Sequence, residues 1–598
     1  MKEITENVLP TSPIAEVFDH STMRATKPGL KRLSLTFSVL CSFIIGFPFL
    51  WKTVEIYRSP LPFAEIDALA DGAVTESLQF PYRFQAVFLS PNPELAKELD
   101  PAQLSFSILT EISKFFSEAP RCGSSLGNVS LSIVVDSSSG DGNECRRAGA
   151  TTSYDCGSIT YGDFDSLDEQ RIDETLERIM GSDMRVYSVV VMVVDDKDEE
   201  GLKRRVVVGK HRHAWVMAAR GSELENTVAE IMVKVFVDGG RREGSINPEF
   251  IPVGADGRII LSFNLLNSDP RDWIYDWDFQ NIDEALLTPV VEALSPIANI
   301  TVESQVRHYA PKSSFSSWDG KLRGYVVRTG DLPFFVNSNE WHLDTSIGAG
   351  GRSKILQFVV YIPSAKECPL RLILPNGRAS STNGFISPMW GGVMIWNSFG
   401  CMKTPEATPS KHVLSPEDLH DILEVLLGQL RQLLGLKSNM AYLGSSGEFS
   451  LLSSFNGFSD WEIDFLSRQH TCFNLNSTAT TLQSLSRLVK SLPRMIIIDE
   501  IGKQVKVSLE AAKLALENAS LGIYNVAAAS SRQARSLAED AFYHPSITSV
   551  SYYSFEHCFA VYSPFFLPVL MHVVLAAVKE WRRFKHEKAK FLLWKKNK

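Results

Sequence analysis

The run FAVYSPFFLPVLMHVVLAAV, residues 559–578, decides how the rest of this 598-residue chain is organised. It contains no Asp, Glu, Lys or Arg, and a helix of twenty residues covers the ~30 Å hydrocarbon core of a bilayer. The alternative is a buried core helix, but core helices of this length rarely lack every charge. We therefore predict a transmembrane helix.

The charges beside this run predict the orientation of the chain. Residues 579–598 hold nine basic and two acidic residues. A second charge-free run, LSLTFSVLCSFIIGFPFLW at 33–51, follows a segment, 1–32, with five basic and four acidic residues. It ends in bulky side chains, unlike a signal-peptide cleavage site, so we predict an uncleaved anchor. Because basic flanks stay cytosolic, both tails should be cytosolic and residues 52–558 lumenal.

The composition indicates a folded, acidic body. The chain is 44% hydrophobic and 22% charged, which is ordinary for a globular protein. Residues 33–578 hold 46 basic and 63 acidic residues, a net charge of −17. Nucleic-acid binding needs a basic footprint, so we predict no nucleic-acid partner.

Two further signals agree with a lumenal body and cytosolic ends. Lys595 and Lys596 in the final KKNK fit the K-K-x-x pattern, which resembles the dilysine retrieval signal of endoplasmic reticulum membrane proteins. The alternative is a plain basic tail. N-x-[ST] glycosylation sequons occur between the two apolar runs at Asn128, Asn299, Asn476 and Asn518.

Eight cysteines are too few for a disulfide scaffold. Cys41 lies in the first apolar run and Cys558 borders the second. We expect a disulfide among Cys122, Cys145 and Cys156, which are close in sequence, but the sequence leaves the pairing open.

We predict that the lumenal body is an α/β domain of mixed sheets with packed helices and that one transmembrane helix anchors it at each end. Strand and helix patterns alternate over about 75–255, as in the strand VYSVVVMVV at 186–194. A second α/β lobe covers 256–475, and it includes a helix over 415–435 capped by Ser415. Residues 477–542 are predicted to be helical.

One acidic loop could carry chemistry. In DPRDWIYDWDF, Asp272, Asp276 and Asp278 alternate with aromatic residues, a combination suited to binding or hydrolysing a sugar. No second acidic cluster is an obvious partner. We therefore favour the interpretation that the aromatic residues anchor a solvated loop.

Other motifs are weaker. His211 and His213 have no nearby third metal ligand, so we predict a surface pair. Gly123–Gly127 matches G-x-S-x-G but follows a helical pattern, whereas a nucleophile elbow follows a strand. His572, within the second apolar run, either packs against another helix or lies as a neutral imidazole near the membrane interface. No caspase-type Cys motif occurs, and we predict no catalytic residue, cofactor or metal.

Several blocks carry a resemblance to a known family, the S subunit (PIG-S) of the glycosylphosphatidylinositol (GPI) transamidase. The most specific is ISPMWGGVMIWN, which is similar to the SP-x-WGG block of the family. In this block we expect Gly391 and Gly392 to allow close backbone approach and Trp390 to pack over them. The other blocks are YRSPLPFAEIDAL (57–69), FNLLNSDP (263–270), FVVYIP (358–363), TATTLQSLSRLV (478–489) and FAVYSPFFLPVLMHVV (559–574).

The resemblance implies a non-catalytic subunit of the endoplasmic reticulum complex that attaches GPI anchors to the C-terminus of precursor proteins. Its implied partners are the K-type cysteine protease, which does the chemistry, the T, U and anchor-attachment subunits, and membrane lipid. Two alternatives stay open. One is a lumenal glycan-processing enzyme that uses Asp272, Asp276 or Asp278. The other is a cycling cargo receptor that returns through Lys595 and Lys596.

Overall fold

A computed structural model describes most of the chain. The described residues are 18–54, 58–71, 78–90, 93–118, 122, 128–137, 144–149, 154–164, 168–180, 185–194, 205–219, 222–240, 250–345, 351–398, 401, 410–436, 441–444, 447–492, 495–548 and 555–598. They form two compact units. The smaller contains Met1–Ser59, Val489–Asp499 and Pro545–Lys598, and the larger contains Pro60–Leu488 and Glu500–His544.

The helices and strands are numbered in chain order. The helices are α1 Lys31–Val54, α2 Phe63–Asp71, α3 Pro93–Glu98, α4 Pro101–Glu118, α5 Glu169–Met180, α6 Ser222–Glu230, α7 Phe279–Ile282, α8 Thr288–Leu294, α9 Ser338–Trp341, α10 Pro416–Leu433, α11 Asp460–Ser491, α12 Asp499–Ser520, α13 Tyr524–Phe542, α14 Pro545–Thr548 and α15 Phe555–Asn597. The strands are β1 Tyr82–Ser90, β2 Val129–Ser137, β3 Glu144–Gly149, β4 Val186–Val194, β5 Arg205–Val208, β6 His213–Ala219, β7 Arg258–Asn267, β8 Trp273–Asp276, β9 Asn299–Arg307, β10 Ser317–Asp319, β11 Gly324–Arg328, β12 Lys354–Ile362, β13 Leu370–Ile373, β14 Gly384–Ser387, β15 Gly391–Ile395, β16 Ser410–Val413, β17 Ala441–Gly444 and β18 Gly447–Leu451.

The first sheet has eight strands in the order β17-β18-β5-β6-β4-β1-β2-β3. Its centre, β6-β4-β1-β2, is parallel. Helices cover both faces, so Phe84, Ala86 and Phe88 of β1 enter one core while Val87 and Leu89 enter another. Burial on both faces explains why these strands are continuous apolar runs.

The second sheet has five strands in the order β14-β15-β12-β7-β9. Its four strands β15-β12-β7-β9 are parallel, and β14 is antiparallel. Helix α10 packs on β14 and β15 and begins at the predicted cap, where the Ser415 hydroxyl accepts from the Asp418 N–H at 3.2 Å. The expected mixed α/β sheets and helical C-terminal part are thus confirmed.

The first sheet contains two strands, β17 and β18, that come from a distant part of the chain. Strands β17 and β18 lie within 256–475, the range predicted for the second lobe, yet β18 pairs in parallel with β5. Such an edge pairing depends on tertiary contacts that local sequence patterns do not encode. The boundary at 256 therefore does not separate the two sheets in sequence, and the domain limits stay a prediction.

The smaller unit contains the two helices that carry the apolar runs. Helices α1 and α15 contact each other, and the Ser59 N–H donates to the Ile497 carbonyl at 2.9 Å. Among the described helices, one segment, Ala560–Asn597, is long and apolar enough to cross a membrane. This finding agrees with the predicted C-terminal span.

Candidate functional site

A buried ionic network joins helix α11 to the first sheet. The Asp464 carboxylate accepts from Arg212 Nε at 2.6 Å and Nη2 at 2.8 Å, and from the Tyr187 hydroxyl at 2.9 Å. Arg468, one helical turn further along, donates to the Tyr187 oxygen and to the Phe236 carbonyl. Burial and the Asp464 charge raise the pKa of Tyr187, which keeps the phenol protonated. Each charged side chain of the network is thus hydrogen-bonded within the protein, and these bonds hold α11 against the first sheet.

Two aromatic rings complete this network. The Arg468 guanidinium lies 5.2 Å from the ring centroid of Tyr82 and 5.0 Å from that of Tyr524. This network was not predicted from the sequence. The available signal was a charged pair, Asp464 and Arg468, spaced i,i+4 within the helical segment WEIDFLSRQ at 461–469.

The two histidines of the GKHRHAW segment do not form the predicted surface pair. His213 is buried, and its Nε2 lies 2.9 Å from Asp173 Oδ1, because β6 is an interior strand whose side chain meets helix α5. His211 is partly exposed, with Nδ1 2.9 Å from Asp460 Oδ2. Each imidazole thus has its own carboxylate. Among the described residues no three His, Cys, Asp or Glu side chains are grouped to hold a metal.

The three carboxylates of the acidic loop each serve a local structural purpose. Asp272 accepts from the Ala365 N–H at 2.8 Å, Asp276 from the Trp277 N–H at 2.9 Å, and Asp278 from the Asn281 side chain at 2.5 Å. Asp276 also pairs with Lys411 at 3.4 Å. These contacts do not direct the carboxylates to a common point.

The aromatic residues of the same loop are buried. Trp273 and Trp277 donate from their indole nitrogens to the Pro363 carbonyl and the Ser304 hydroxyl, each at 3.2 Å. Tyr275 hydrogen-bonds Ser398. All three enter the apolar core that packs against the second sheet, so they anchor β8 and the loop that follows it.

Six cysteines pair in the structure. The disulfides are Cys145–Cys156, Cys122–Cys472 and Cys368–Cys401. Cys122 is thus joined to helix α11, 350 residues away, and not to the neighbours considered from spacing alone. Residues 123–127, the G-x-S-x-G match, lie outside the described residues.

The sequons differ in accessibility. Asn299 and Asn476 are exposed and Asn518 is half-buried. The Asn128 amide nitrogen, by contrast, is buried with no hydrogen-bond partner among the described residues. Lys595 and Lys596 lie in the last turn of α15. On the same helix, His572 Nδ1 lies 2.6 Å from the Pro568 carbonyl oxygen, a contact within its own helix.

Comparison with known proteins places the chain in a family. A family model described as "PIG-S: Phosphatidylinositol-glycan biosynthesis class S protein" matches residues 37–587. The chain belongs to the PIG-S family.

Similar proteins carry related names. The chain is 27% identical over 567 residues to the Bos taurus protein called GPI-anchor transamidase component PIGS, covering 92% of this chain and 94% of that protein. For the Homo sapiens protein of the same name the identity is 26% over 564 residues, with the same coverage. The Schizosaccharomyces pombe protein called GPI transamidase component PIG-S homolog is 26% identical over 344 residues, 58% of this chain and 56% of that protein.

Three blocks that resemble PIG-S lie side by side in the second sheet. Residues 263–270 run along β7 and 358–363 along β12, while 386–397 contain β15 and part of β14. Within the last block, a Cβ on Gly391 would lie 1.9 Å from the Gln357 carbonyl oxygen, and one on Gly392 would lie 2.0 Å from Gln429 Oε1. Both glycines therefore permit the close approach expected of them. Trp390 is partly buried and packs against the core cluster that includes Val359 and Val393 of this sheet.

Proposed function

We propose that this chain is a non-catalytic subunit of the GPI transamidase, which attaches GPI anchors to precursor proteins at the endoplasmic reticulum membrane. The observation that carries the proposal is the PIG-S family match over residues 37–587. Its relatives are named as components of the transamidase. The proposed role is assembly with the K-type protease, T, U and anchor-attachment subunits.

The state of the cysteines supports a non-catalytic role. A cysteine protease needs a thiolate beside an imidazole. Cys558 borders the second apolar run. The six other cysteines between the two runs are all disulfide-bonded. Buried His213 contacts a carboxylate, Asp173. The chemistry is therefore assigned to another chain.

The surface of the second lobe supports a partner-binding role. Four aromatic side chains of one segment are more than half exposed: Tyr309, Phe315, Trp318 and Phe334. Aromatic residues are enriched at the cores of protein interfaces, and exposed apolar groups in such numbers favour a covered surface. We assign this segment to contacts with another subunit.

The smaller unit supports two membrane spans with both ends on one side. Apolar side chains of both helices are exposed, such as Leu35 and Ile44 of α1 and Phe565 of α15, as expected of lipid-facing surfaces. Arg24 pairs with Glu587, and Arg32 Nε lies 3.6 Å from Glu580 Oε2. Glu580 and Glu587 are the two acidic residues of the basic tail, and both meet the segment that precedes or begins α1. Residues 52–558 are then lumenal, and Lys595 and Lys596 are cytosolic.

The proposal is tested by purification and rescue. Tagged full-length chain, extracted in a gentle detergent, should co-purify with the other transamidase chains. Cells that lack the protein should lose GPI-anchored proteins from their surface. His213→Asn, together with single Cys→Ala variants, should restore them in proportion to the amount of folded protein. A variant that assembles at the normal level but fails to restore anchoring would contradict the non-catalytic role.

The two alternatives make different predictions. A glycan-processing enzyme would lose activity in Asp272→Asn, Asp276→Asn or Asp278→Asn, and the purified chain alone would turn over a glycan. The local hydrogen bonds of these carboxylates do not favour this function. A cycling cargo receptor would leave the endoplasmic reticulum when Lys595 and Lys596 are replaced by serine, and cargo would fail to be exported.

A further inference from the structure

A polar cavity of about 460 Å³ lies between helix α13 and the ends of β7 and β9. This volume is typical of ligand pockets, which range over ~300–1,000 Å³. Most of its lining is polar, and it includes the sequon residue Asn299. The lining residues are Asp256, Gly257, Asn299, Ala529, Ser530, Arg532, Gln533, Ser536 and Leu537.

Gly257 contacts both the sequon residue Asn299 and the cationic residue of the cavity, Arg532. The Gly257 carbonyl accepts from the Asn299 N–H at 3.0 Å. A Cβ on Gly257 would lie 3.1 Å from Arg532 Cγ, so the stem of Arg532 rests on this residue. Gly257 also has a φ of +77°, which glycine adopts without strain. Asn299 and Arg532 are therefore held on either side of Gly257.

The Arg532 guanidinium has unused hydrogen-bonding capacity. Among the described residues it donates to one carbonyl, that of Ser295 at 3.1 Å, and pairs with no carboxylate. Burial lowers its pKa, which reflects a cation partly removed from water. A guanidinium has five N–H donors, and the exposed Gln533 amide lies one residue away.

We propose that Asn299 carries an N-linked glycan whose first sugars pack into this cavity. The hydroxyl and N-acetyl oxygens of N-acetylglucosamine accept hydrogen bonds of the kind that Arg532 and Gln533 offer. The Asp256 carboxylate accepts from the Arg258 N–H at 3.0 Å through Oδ1 and from the Ser353 hydroxyl through Oδ2. Each carboxylate oxygen has two lone pairs, so one on each remains for a sugar hydroxyl. The packed sugar joins α13 to the start of β9. This inference rests on the lumenal orientation of the proposed function.

Enzymatic deglycosylation of the native protein tests the packing. Peptide-N-glycosidase must reach the first sugar, so it should release the Asn299 glycan at least tenfold more slowly than the glycan on Asn476, which stands exposed on α11. After denaturation the two rates should be equal. Gln533→Ala, an exposed change, and Arg532→Ala should each speed release at Asn299 and leave Asn476 unchanged.

Removal of the glycan should also lower thermal stability. Asn299→Gln and Thr301→Val both abolish the sequon by different changes, so both should reduce the melting temperature of the full-length protein, whereas Asn476→Gln should not. Equal native release rates, or modification at Asn476 with none at Asn299, would overturn this inference and leave the proposed function intact. The absence of glycan at both positions would instead contradict the lumenal orientation.

Discussion

At the scale of single residues, Gly391 is the glycine, among those that the structure describes, at which an added Cβ would lie closest to another atom. Its φ is +152° and an added Cβ would lie 1.9 Å from the Gln357 carbonyl oxygen, a backbone atom in a buried strand. We expect Gly391→Ala to cost about 3 kcal/mol, the upper range for overpacking. The effect should appear as a lower melting temperature or a smaller yield of folded protein.

Two other glycines provide comparisons for the loss of stability expected in Gly391→Ala. Gly392→Ala meets the flexible end of Gln429 first, so it should cost less than Gly391→Ala. Gly330→Ala has open space around it and should be nearly neutral. Equal losses at Gly391 and Gly330 would show that the close approach in the WGG block is unimportant.

The His211–Asp460 pair predicts a pH dependence. The hydrogen bond with Asp460 raises the pKa of His211, burial opposes the rise, and Glu177 adds to it. A raised pKa in the folded state means that the stabilisation is complete below the unfolded value of about 6.5 and is lost as pH rises through the folded value. His211→Gln should therefore lower the melting temperature more at about pH 5.5 than at about pH 8.5.

A histidine without this contact provides the comparison. His308 is exposed, and His308→Gln should change the melting temperature little. A pH-independent effect of His211→Gln would indicate that its ring contributes by packing alone. The pair is partly solvated, so its contribution should not exceed about 1 kcal/mol.

The sequons differ in a way that the residue pattern does not show. All four share the N-x-[ST] motif, but the amide nitrogen that would carry a sugar is buried at Asn128. A glycan added there before folding would have to displace the surrounding structure. We therefore expect glycopeptide mass spectrometry of the folded protein to find Asn128 unmodified while Asn476 is occupied. Stoichiometric modification of Asn128 in stable protein would contradict this expectation.

At the scale of elements, the ionic network fixes helix α11 to the first sheet. Asp464 neutralises Arg212 and accepts from Tyr187 in a site where its own side chain is 4% exposed. Breaking a buried pair by removing one charge costs about 3–5 kcal/mol. Asp464→Asn should therefore lower the melting temperature sharply or prevent accumulation.

Milder and matched variants keep this prediction testable. Tyr187→Phe removes one hydrogen bond and should cost about 1 kcal/mol. Asp344→Asn breaks a pair with Arg307 in which the Asp344 side chain is 81% exposed, and surface pairs contribute about 0–1 kcal/mol. If Asp464→Asn were as mild as Asp344→Asn, the network would not be what holds the helix.

The elements themselves were largely predictable because their signals are local. The strand over 186–194 and the Ser415 cap follow from β-branched runs and from capping chemistry. Pairings between distant segments were not predictable. The β18–β5 ladder, the Cys122–Cys472 bond and the Asp464–Arg212 pair each join residues more than two hundred positions apart, and no local pattern specifies them.

The candidate sites show the same division between local and distant information. Alternation of aspartate with aromatic residues correctly suggested a loop anchored by Trp273 and Trp277, since alternate side chains point to opposite sides of a strand. His213 was misjudged because its burial depends on the position of β6 inside the sheet and on Asp173 of α5. The cavity beside Asn299 is formed by segments more than two hundred residues apart, so the sequence alone gave no sign of it.

At the scale of the whole molecule, the contact between α1 and α15 yields a test of orientation. The ring centroids of Phe37 and Trp581 are 5.9 Å apart, and the Arg24–Glu587 pair lies in the same region. Phe37→Cys with Trp581→Cys, in a chain whose Cys41 and Cys558 are serine, should form a disulfide on mild oxidation of sealed microsomes. Arg24→Glu should reduce the yield severalfold, and Glu587→Arg in the same chain should restore it.

The charge swap distinguishes a specific contact between the two segments from a chance encounter of the two cysteines, because only a specific contact is restored by Glu587→Arg. Restoration requires that the residue before α1 and the residue beyond the second apolar run meet on one side of the membrane, which places both tails together. An impermeant reagent that labels position 24 from outside intact microsomes but labels position 587 only after they are opened would be incompatible with that arrangement. The lumenal assignment of residues 52–558, and with it the glycan packing at Asn299, would then have to be abandoned.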